Sequence, residues 1–158
     1  MLKHPDLFQN GYHLARFKLP PEIKKRVEQQ DWDAVDAAFI HLTAPGSELF
    51  QFLLEYHSFE TIEHILSIRD AKNAWEEDGI WHDDGSRLFS FSLSITLDAQ
   101  SVQGGDLGIK KKEQESFLRI PTPQYGDIIL FLTGVYGFEH KIHQVTSGTR
   151  IVIAGWCT

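Results

Sequence analysis

A chain of 158 residues that is 42% hydrophobic and 12% aromatic is long enough to enclose one sizeable core, and one globular domain over residues 1–158 is the expectation. Fifteen basic against twenty-two acidic residues leave a formal charge of -7, and the cationic run Lys110 to Lys112 is offset at once by Glu113 and Glu115, so neither a nucleic acid nor an anionic membrane is expected as a partner. The lone Cys157 allows no disulfide within the chain and no cysteine-based zinc site, which leaves any metal to His, Asp and Glu. The opening Met-Leu-Lys-His-Pro-Asp places an acid and a proline where a signal peptide needs an apolar run, no segment approaches a membrane span, and a cytoplasmic location is expected.

Along the chain, the run from Asn10 to Leu19 alternates apolar and polar residues and predicts an opening strand. Pro20 and Pro21 stop it and suit a first helical turn. Ile23 and Val27 fall four apart, and Trp32, Val35, Ala38 and Phe39 continue a partly helical segment to about Ile40. Ala44, Pro45 and Gly46 break the pattern, after which Ser47 is placed to cap a helix whose apolar face is Leu49, Phe52, Leu53 and Tyr56. Ile62, Ile65, Leu66 and Ile68 satisfy a helical stripe and a two-faced strand about equally; a strand ending near Arg69 is the expectation.

From Gly79 onward, short apolar runs are punctuated by Asp83-Asp84-Gly85, Gly104-Gly105, Pro121-Thr122-Pro123, Tyr125-Gly126, Gly134 and Ser147-Gly148, a spacing of turn signals that suggests a sandwich or barrel. Within Phe89 to Leu97 every odd position is large and apolar, whereas Ser90, Ser92, Ser94 and Thr96 share the opposite face. A row of small hydroxyls suits the floor of a hydrated pocket; a plain solvent-facing surface is the other reading. The segment from Trp75 to Trp81 is expected at the rim of whatever site follows it, as a solvated turn.

Most of the eight histidines call for no functional account. His82 differs, because Asp84 follows two residues later and an extended segment would place imidazole and carboxylate on one face, ready to share an ion. Alone such a triplet is weak, and a polar turn before Gly85 is the better explanation of it. The segment His140-Lys-Ile-His-Gln-Val-Thr-Ser-Gly-Thr-Arg150, followed by an apolar strand to Trp156, gives it a partner.

Taken in order, His82-x-Asp84, Gly104-Gly105-Asp-Leu, the stretch Pro123 to Phe131, His140-x-Ile-x-x-Val-x-Ser-Gly-x-Arg150 and Trp156 resemble the 2-oxoglutarate and iron(II) dependent oxygenases, specifically their prolyl-hydroxylase-like branch. The match runs from residue 79 to the end. It implies a mainly β fold with N-terminal helices: a double-stranded β-helix, or cupin-like jelly-roll, with helical support over roughly 20–60 and the β core over roughly 62–158. It also implies an enzyme that consumes 2-oxoglutarate and O2 at Fe(II), with ascorbate as a stimulant, and hydroxylates a C–H bond while releasing succinate and carbon dioxide. A prolyl or other side chain in a protein or peptide is the leading substrate, with small molecules as the other class.

On this resemblance His82, Asp84 and His140 are the metal ligands, and Arg150 on the last strand pairs with the far carboxylate of 2-oxoglutarate. Ser94 and Thr96 join the co-substrate pocket, Thr96 standing near the position of a common family tyrosine, and Gln144 replaces a frequent proline. His143 competes with His140 as ligand, and otherwise lies behind or near the pocket; Trp156 is read as packing. Two other classes use the same residues. A zinc-type hydrolase would leave Arg150 without a purpose, and a silent metal-binding jelly-roll module would have no chemical need for all four residues.

Overall fold

A computed structural model describes residues 3–71 and 79–158 of the chain. The N-terminal part holds helices α1 (Pro5–Asn10), α2 (Pro21–Glu28), α3 (Trp32–Leu42) and α4 (Glu48–Leu54), interrupted by strand β1 (Tyr12–Arg16). The expected opening strand is therefore shorter than its alternating run and is preceded by a short helix, started by Pro5 and ended by Gly11 in the left-handed conformation. The segment expected as one partly helical stretch is two helices. Gln30 takes a left-handed φ of 55° between them, and Asp31 restarts the chain by accepting a hydrogen bond from the Ala34 amide at 3.3 Å. Ser47 stands at the cap position of α4, but its hydroxyl donates to the carbonyls of Leu42 and Ala44 and so closes the preceding turn instead.

The remaining strands are β2 (Ile62–Asp70), β3 (Phe89–Ser94), β4 (Gln103–Gly104), β5 (Leu107–Lys111), β6 (Leu118–Ile120), β7 (Asp127–Leu132), β8 (Phe138–Ile142), β9 (Val145–Ser147) and β10 (Thr149–Cys157). The ambiguous run after Ser58 is thus a strand, as expected. Five strands form one antiparallel sheet in the order β1-β7-β3-β10-β2; β6-β5-β8 and the pair β4-β9 make the opposing layer. This is the two-layered antiparallel jelly-roll. No described helix is long and apolar enough to cross a membrane.

Register decides which residues face which layer. On β10, Ile151, Ile153, Gly155 and Cys157 lie opposite odd-numbered β3 residues and face the helices, whereas Arg150, Val152, Ala154 and Trp156 share the other face with Ser90, Ser92 and Ser94. Phe89, Phe91 and Leu93 carry the helix-facing side into one continuous core with Ile23, Val35, Phe39, Leu49 and Leu53. Aromatic edges lock the layers: Phe17 against Phe52 at 5.4 Å, and Phe59 against both Phe50 and Phe89 at 4.8 and 5.7 Å. Cys157 is fully buried there, and desolvation pushes its thiol far above the ordinary value.

Gly155 pairs directly with Phe91, and a Cβ at position 155 would lie 2.2 Å from the phenyl ring. The missing side chain is the space the ring occupies. Gly155→Ala should therefore destabilise the fold by about 1–3 kcal/mol through overpacking. Urea denaturation of Gly155→Ala, Phe91→Leu and the double variant checks this: the double variant should lose less than the sum of the two single losses, and simple additivity would contradict the clash.

Candidate metal centre

The inner face between the layers collects most of the polar residues singled out in the sequence. His82 is joined to β8 by an isolated antiparallel bridge, its amide donating to the His140 carbonyl at 3.0 Å and the His140 amide returning to His82 at 2.9 Å. The two imidazoles are thereby set side by side, ring centroids 4.3 Å apart. Asp84 joins them by a different route from the strand alternation expected of His82-x-Asp84. Its φ is 60°, a left-handed turn conformation that aspartate tolerates better than most residues, and this turn brings its carboxylate back over both rings.

His140 Nε2 lies 3.1 Å from Asp84 Oδ2 and His82 Nε2 lies 3.5 Å from Asp84 Oδ1, and one atom from each of the three residues falls within 4.8 Å of the others. The Asp84 and His140 side chains are only 8% and 6% exposed, whereas His82 at 30% borders solvent. Burial pushes the Asp84 carboxyl upward. The hydrogen bond and charge of His140, the charge of His82 and a hydrogen bond donated by Ser90 Oγ at 3.2 Å outweigh it, so the carboxyl sits below its usual value and is ionised at neutral pH.

The donor set fits a divalent metal. His82 Nδ1 donates to the Ile80 carbonyl at 2.7 Å, which leaves Nε2 on the Asp84 side as the ring atom that a metal would take in place of a proton. Two imidazoles and one carboxylate on one side of an ion leave its other positions open for exogenous ligands. The ring edge of Phe131, 4.7 Å from His140 and inclined by 61°, backs that ligand from the large sheet.

Arg150 enters the same cavity from β10, is 3% exposed, and directs Nη2 at Ser92 Oγ 3.5 Å away. Its stem is accommodated by Gly105: a Cβ there would stand 2.9 Å from Arg150 Cδ and 3.0 Å from Val145 Cγ2, and the backbone has a φ of 71°. Gly105 thus makes room for the arginine, whereas a Cβ at Gly104 would strike the Gln144 carbonyl oxygen at 2.0 Å. Ile65, Ser67, Ser90, Ser92, Ala154 and Trp156 complete much of the wall, so the aromatic read as packing lines the cavity, with the Arg87 guanidinium 5.3 Å from its ring.

The hydroxyl row divides. Ser90 and Ser92 face the cavity, whereas Ser94 Oγ donates to the Pro123 carbonyl at 2.7 Å and Thr96 Oγ1 exchanges hydrogen bonds with the Ile151 carbonyl and amide, both at 2.9 Å. Neither Ser94 nor Thr96 lines the cavity, and β3 ends at Ser94 instead of continuing to Leu97. All four hydroxyl residues are buried, so the row is not a solvent face either. Ser90 and Ser92 bear out the pocket-floor reading of the hydroxyl row, and Phe131 is the partner that the sequence did not single out, placed opposite Ser90 by the register of β7.

His143 does not join the cluster. Its amide donates to the Asp106 carbonyl, its ring stacks on Phe117 at 5.8 Å, and burial, then the charges of Arg119 and Lys141, lower its pKa. Of the expected rim segment, residues 75–78 lie outside the described residues; Trp81 lies against the outer side of the small sheet, beside Phe117 and beneath Lys110 and Lys141.

Comparisons with known proteins agree with this geometry. The model of the 2OG-Fe(II) oxygenase superfamily matches residues 67–158, more than half the chain. A PKHD-type hydroxylase of Prochlorococcus marinus is 32% identical over 79 residues, 50% of this chain and 33% of that protein. One from Synechococcus sp. (strain CC9902) is 29% identical over 105 residues, 63% of this chain and 44% of that one. The chain thus spans less than half the length of the curated relatives it matches. Among solved structures, a Pseudomonas putida prolyl-4-hydroxylase superposes with a TM-score of 0.62 at 19% identity, covering 97% of this chain and 90% of that one. A Trichoplax adhaerens prolyl hydroxylase in complex with a hypoxia inducible factor peptide fragment gives 0.62 at 14% identity, covering 99% and 87%. At these identities the structures establish the shared jelly-roll; the family assignment rests on the sequence model, by which the chain belongs to the 2OG-Fe(II) oxygenase superfamily.

Proposed function

We propose that this protein is an Fe(II) oxygenase that consumes 2-oxoglutarate and O2 and hydroxylates a C–H bond of a prolyl or other residue in a protein or peptide, releasing succinate and carbon dioxide. The observation that carries the reading is the convergence of His82, Asp84 and His140 within 4.8 Å of one another, with both histidines lining the cavity that also holds the buried guanidinium of Arg150. Bound by the triad, iron(II) supplies chelation of the keto acid and activation of dioxygen.

The chain's own residues supply placement. The paired backbone hydrogen bonds between His82 and His140 fix the two imidazoles relative to one another, and the Ile80 carbonyl holds the His82 proton on Nδ1, away from the metal side. Ser90 orients the carboxylate of Asp84, which stays ionised in spite of its burial. Arg150 is a planar cation with no exit to solvent, suited to a bidentate pair with the distal carboxylate of 2-oxoglutarate, and Ser92 steers it. The apolar walls from Phe131, Val152 and Trp156 limit water around the reacting atoms. A hydrolase working through metal-bound water would have no use for a buried cation at the far end of its cavity, which is why the oxygenase is favoured over that reading.

Support for a peptide substrate comes from the neighbours of like fold that are prolyl hydroxylases, one of them bound to a peptide. Incubation with proline-containing peptides, 2-oxoglutarate and iron should add one oxygen atom to the peptide with stoichiometric succinate. Succinate formation without any modified peptide would move the substrate to another class.

Anaerobic titration of the iron(II)-loaded protein with 2-oxoglutarate should produce the visible charge-transfer band of a chelated keto acid. Arg150→Ala should weaken that titration by at least about 30-fold, the scale of losing one partner of a buried charge pair, while iron binding persists. Equal loss of iron would show that Arg150 supports the metal instead. The two histidines should also separate: His140→Ala abolishes the band, whereas His143→Ala retains it at wild-type amplitude. The reverse result would transfer the ligand role to His143.

A further inference from the structure

A second set of ligating side chains meets far from the cavity in chain terms, where the first helix turns into the first strand. His4, Asp6 and His13 each present one atom, and these three atoms lie within 4.8 Å of one another. His4 occupies the position before α1 but makes no capping hydrogen bond with its side chain, Asp6 stands in the first turn, and His13 arrives from β1 after the left-handed Gly11. The pairing of His13 with Leu130 of β7 puts its imidazole on the helix-facing side of the large sheet. There it hydrogen-bonds the Asp6 carboxylate, which this contact holds below its usual pKa.

An aromatic platform fixes the two imidazoles. The Tyr56 ring, just past α4, stacks on His4 at 4.2 Å with an interplanar angle of 26° and stands 5.3 Å from His13, while the His4 and His13 rings are 5.2 Å apart. Two chain segments remote from one another in sequence, the α1–β1 turn and the end of α4, therefore meet around two imidazoles and one carboxylate. Among the described residues only this group and the His82, Asp84, His140 group have such a composition within that distance.

We propose that His4, Asp6 and His13 form a second cation site, for a divalent first-row metal that favours imidazole, of the zinc type. Ligand atoms around a tetrahedral ion with bonds of about 2.0–2.2 Å stand roughly 3.3 Å apart. The atoms here already lie within 4.8 Å of one another. The His13 and Asp6 side chains are 22% and 45% exposed, so the site is open enough for a metal to enter and for water to complete its coordination. The same openness sets it apart from the His82, Asp84, His140 centre, whose histidines share a cavity with the buried Arg150, so the role proposed here is to bind an ion and not a keto acid.

The consequence of binding is mechanical. A six-residue helix is too short to persist on its own, and β1 is the edge strand of the large sheet. An ion held by one ligand before α1, one within it and one on β1 fastens the helix to the edge.

The test is a zinc titration of tag-free protein by calorimetry, with bound metal counted after dialysis. The wild type should bind two zinc ions per chain, His4→Ala/His13→Ala one, and His82→Ala/His140→Ala one. Asp6→Asn, which keeps shape and hydrogen-bonding capacity, should weaken the second site by at least about tenfold and covers the case in which the double variant fails to fold. In the His82→Ala/His140→Ala protein, zinc should also raise the melting temperature, and Asp6→Asn should remove that rise. A single zinc in the wild type that is lost entirely with His82 and His140, or two zinc ions retained in His4→Ala/His13→Ala, would overturn the proposal and leave the cluster as a surface ion pair.

Discussion

The two-residue alternation of β10, locked between β2 and β3 by nine and six register pairs, is the constraint on which everything else in the molecule rests. One set of its residues must be apolar enough to lie under the helices, and the other must serve the cavity, so a slip of one residue would drive Arg150 into the core and Ile151 into the site. The register is therefore a functional specification as much as a structural one. Gly155 shows how closely it is held, since its alignment with Phe91 leaves no tolerance for a methyl group.

Electrostatically, the cavity separates two charges that a low-dielectric interior would otherwise not admit. Asp84 remains an anion because two imidazoles and a serine hydroxyl surround it, and Arg150 is a cation aimed at Ser92 on the same face of the large sheet. Each ionic group stands where a ligand of the opposite sign can meet it. Buried charge of this kind costs stability, and its retention is a mark of binding chemistry.

Much of this was legible before any coordinates. The turn-punctuated second half and the parity of Ser90 and Ser92 follow from period and spacing, the strand from Ile62 was one of two readings its period allowed, and His82, Asp84, His140 and Arg150 were picked out by the resemblance to the oxygenases. What was not legible has physical reasons. The first helix is six residues long and carries no apolar period, so its proline start and glycine stop were the only signals. The break at Gln30 depends on a left-handed residue with a side chain, which composition does not announce. Ser94 and Thr96 share the parity of their neighbours, but the sheet has ended beside them, and their hydroxyls turn to backbone carbonyls of crossing segments. Asp84 reaches the metal position through a turn where alternation would have predicted the same outcome for another reason.

The backbone bridge between His82 and His140 has a bearing on ion discrimination. Two of the three proposed ligands are tied to one another through main-chain pairing, whereas the third hangs from a turn and accepts a hydrogen bond from the Ser90 hydroxyl. Such a centre is rigid along one edge and compliant along the other, so it can adjust its bite to ions of somewhat different radius. Size then selects weakly among first-row divalent ions, and which one is loaded follows from the concentrations the surroundings offer and from the intrinsic order of imidazole affinities.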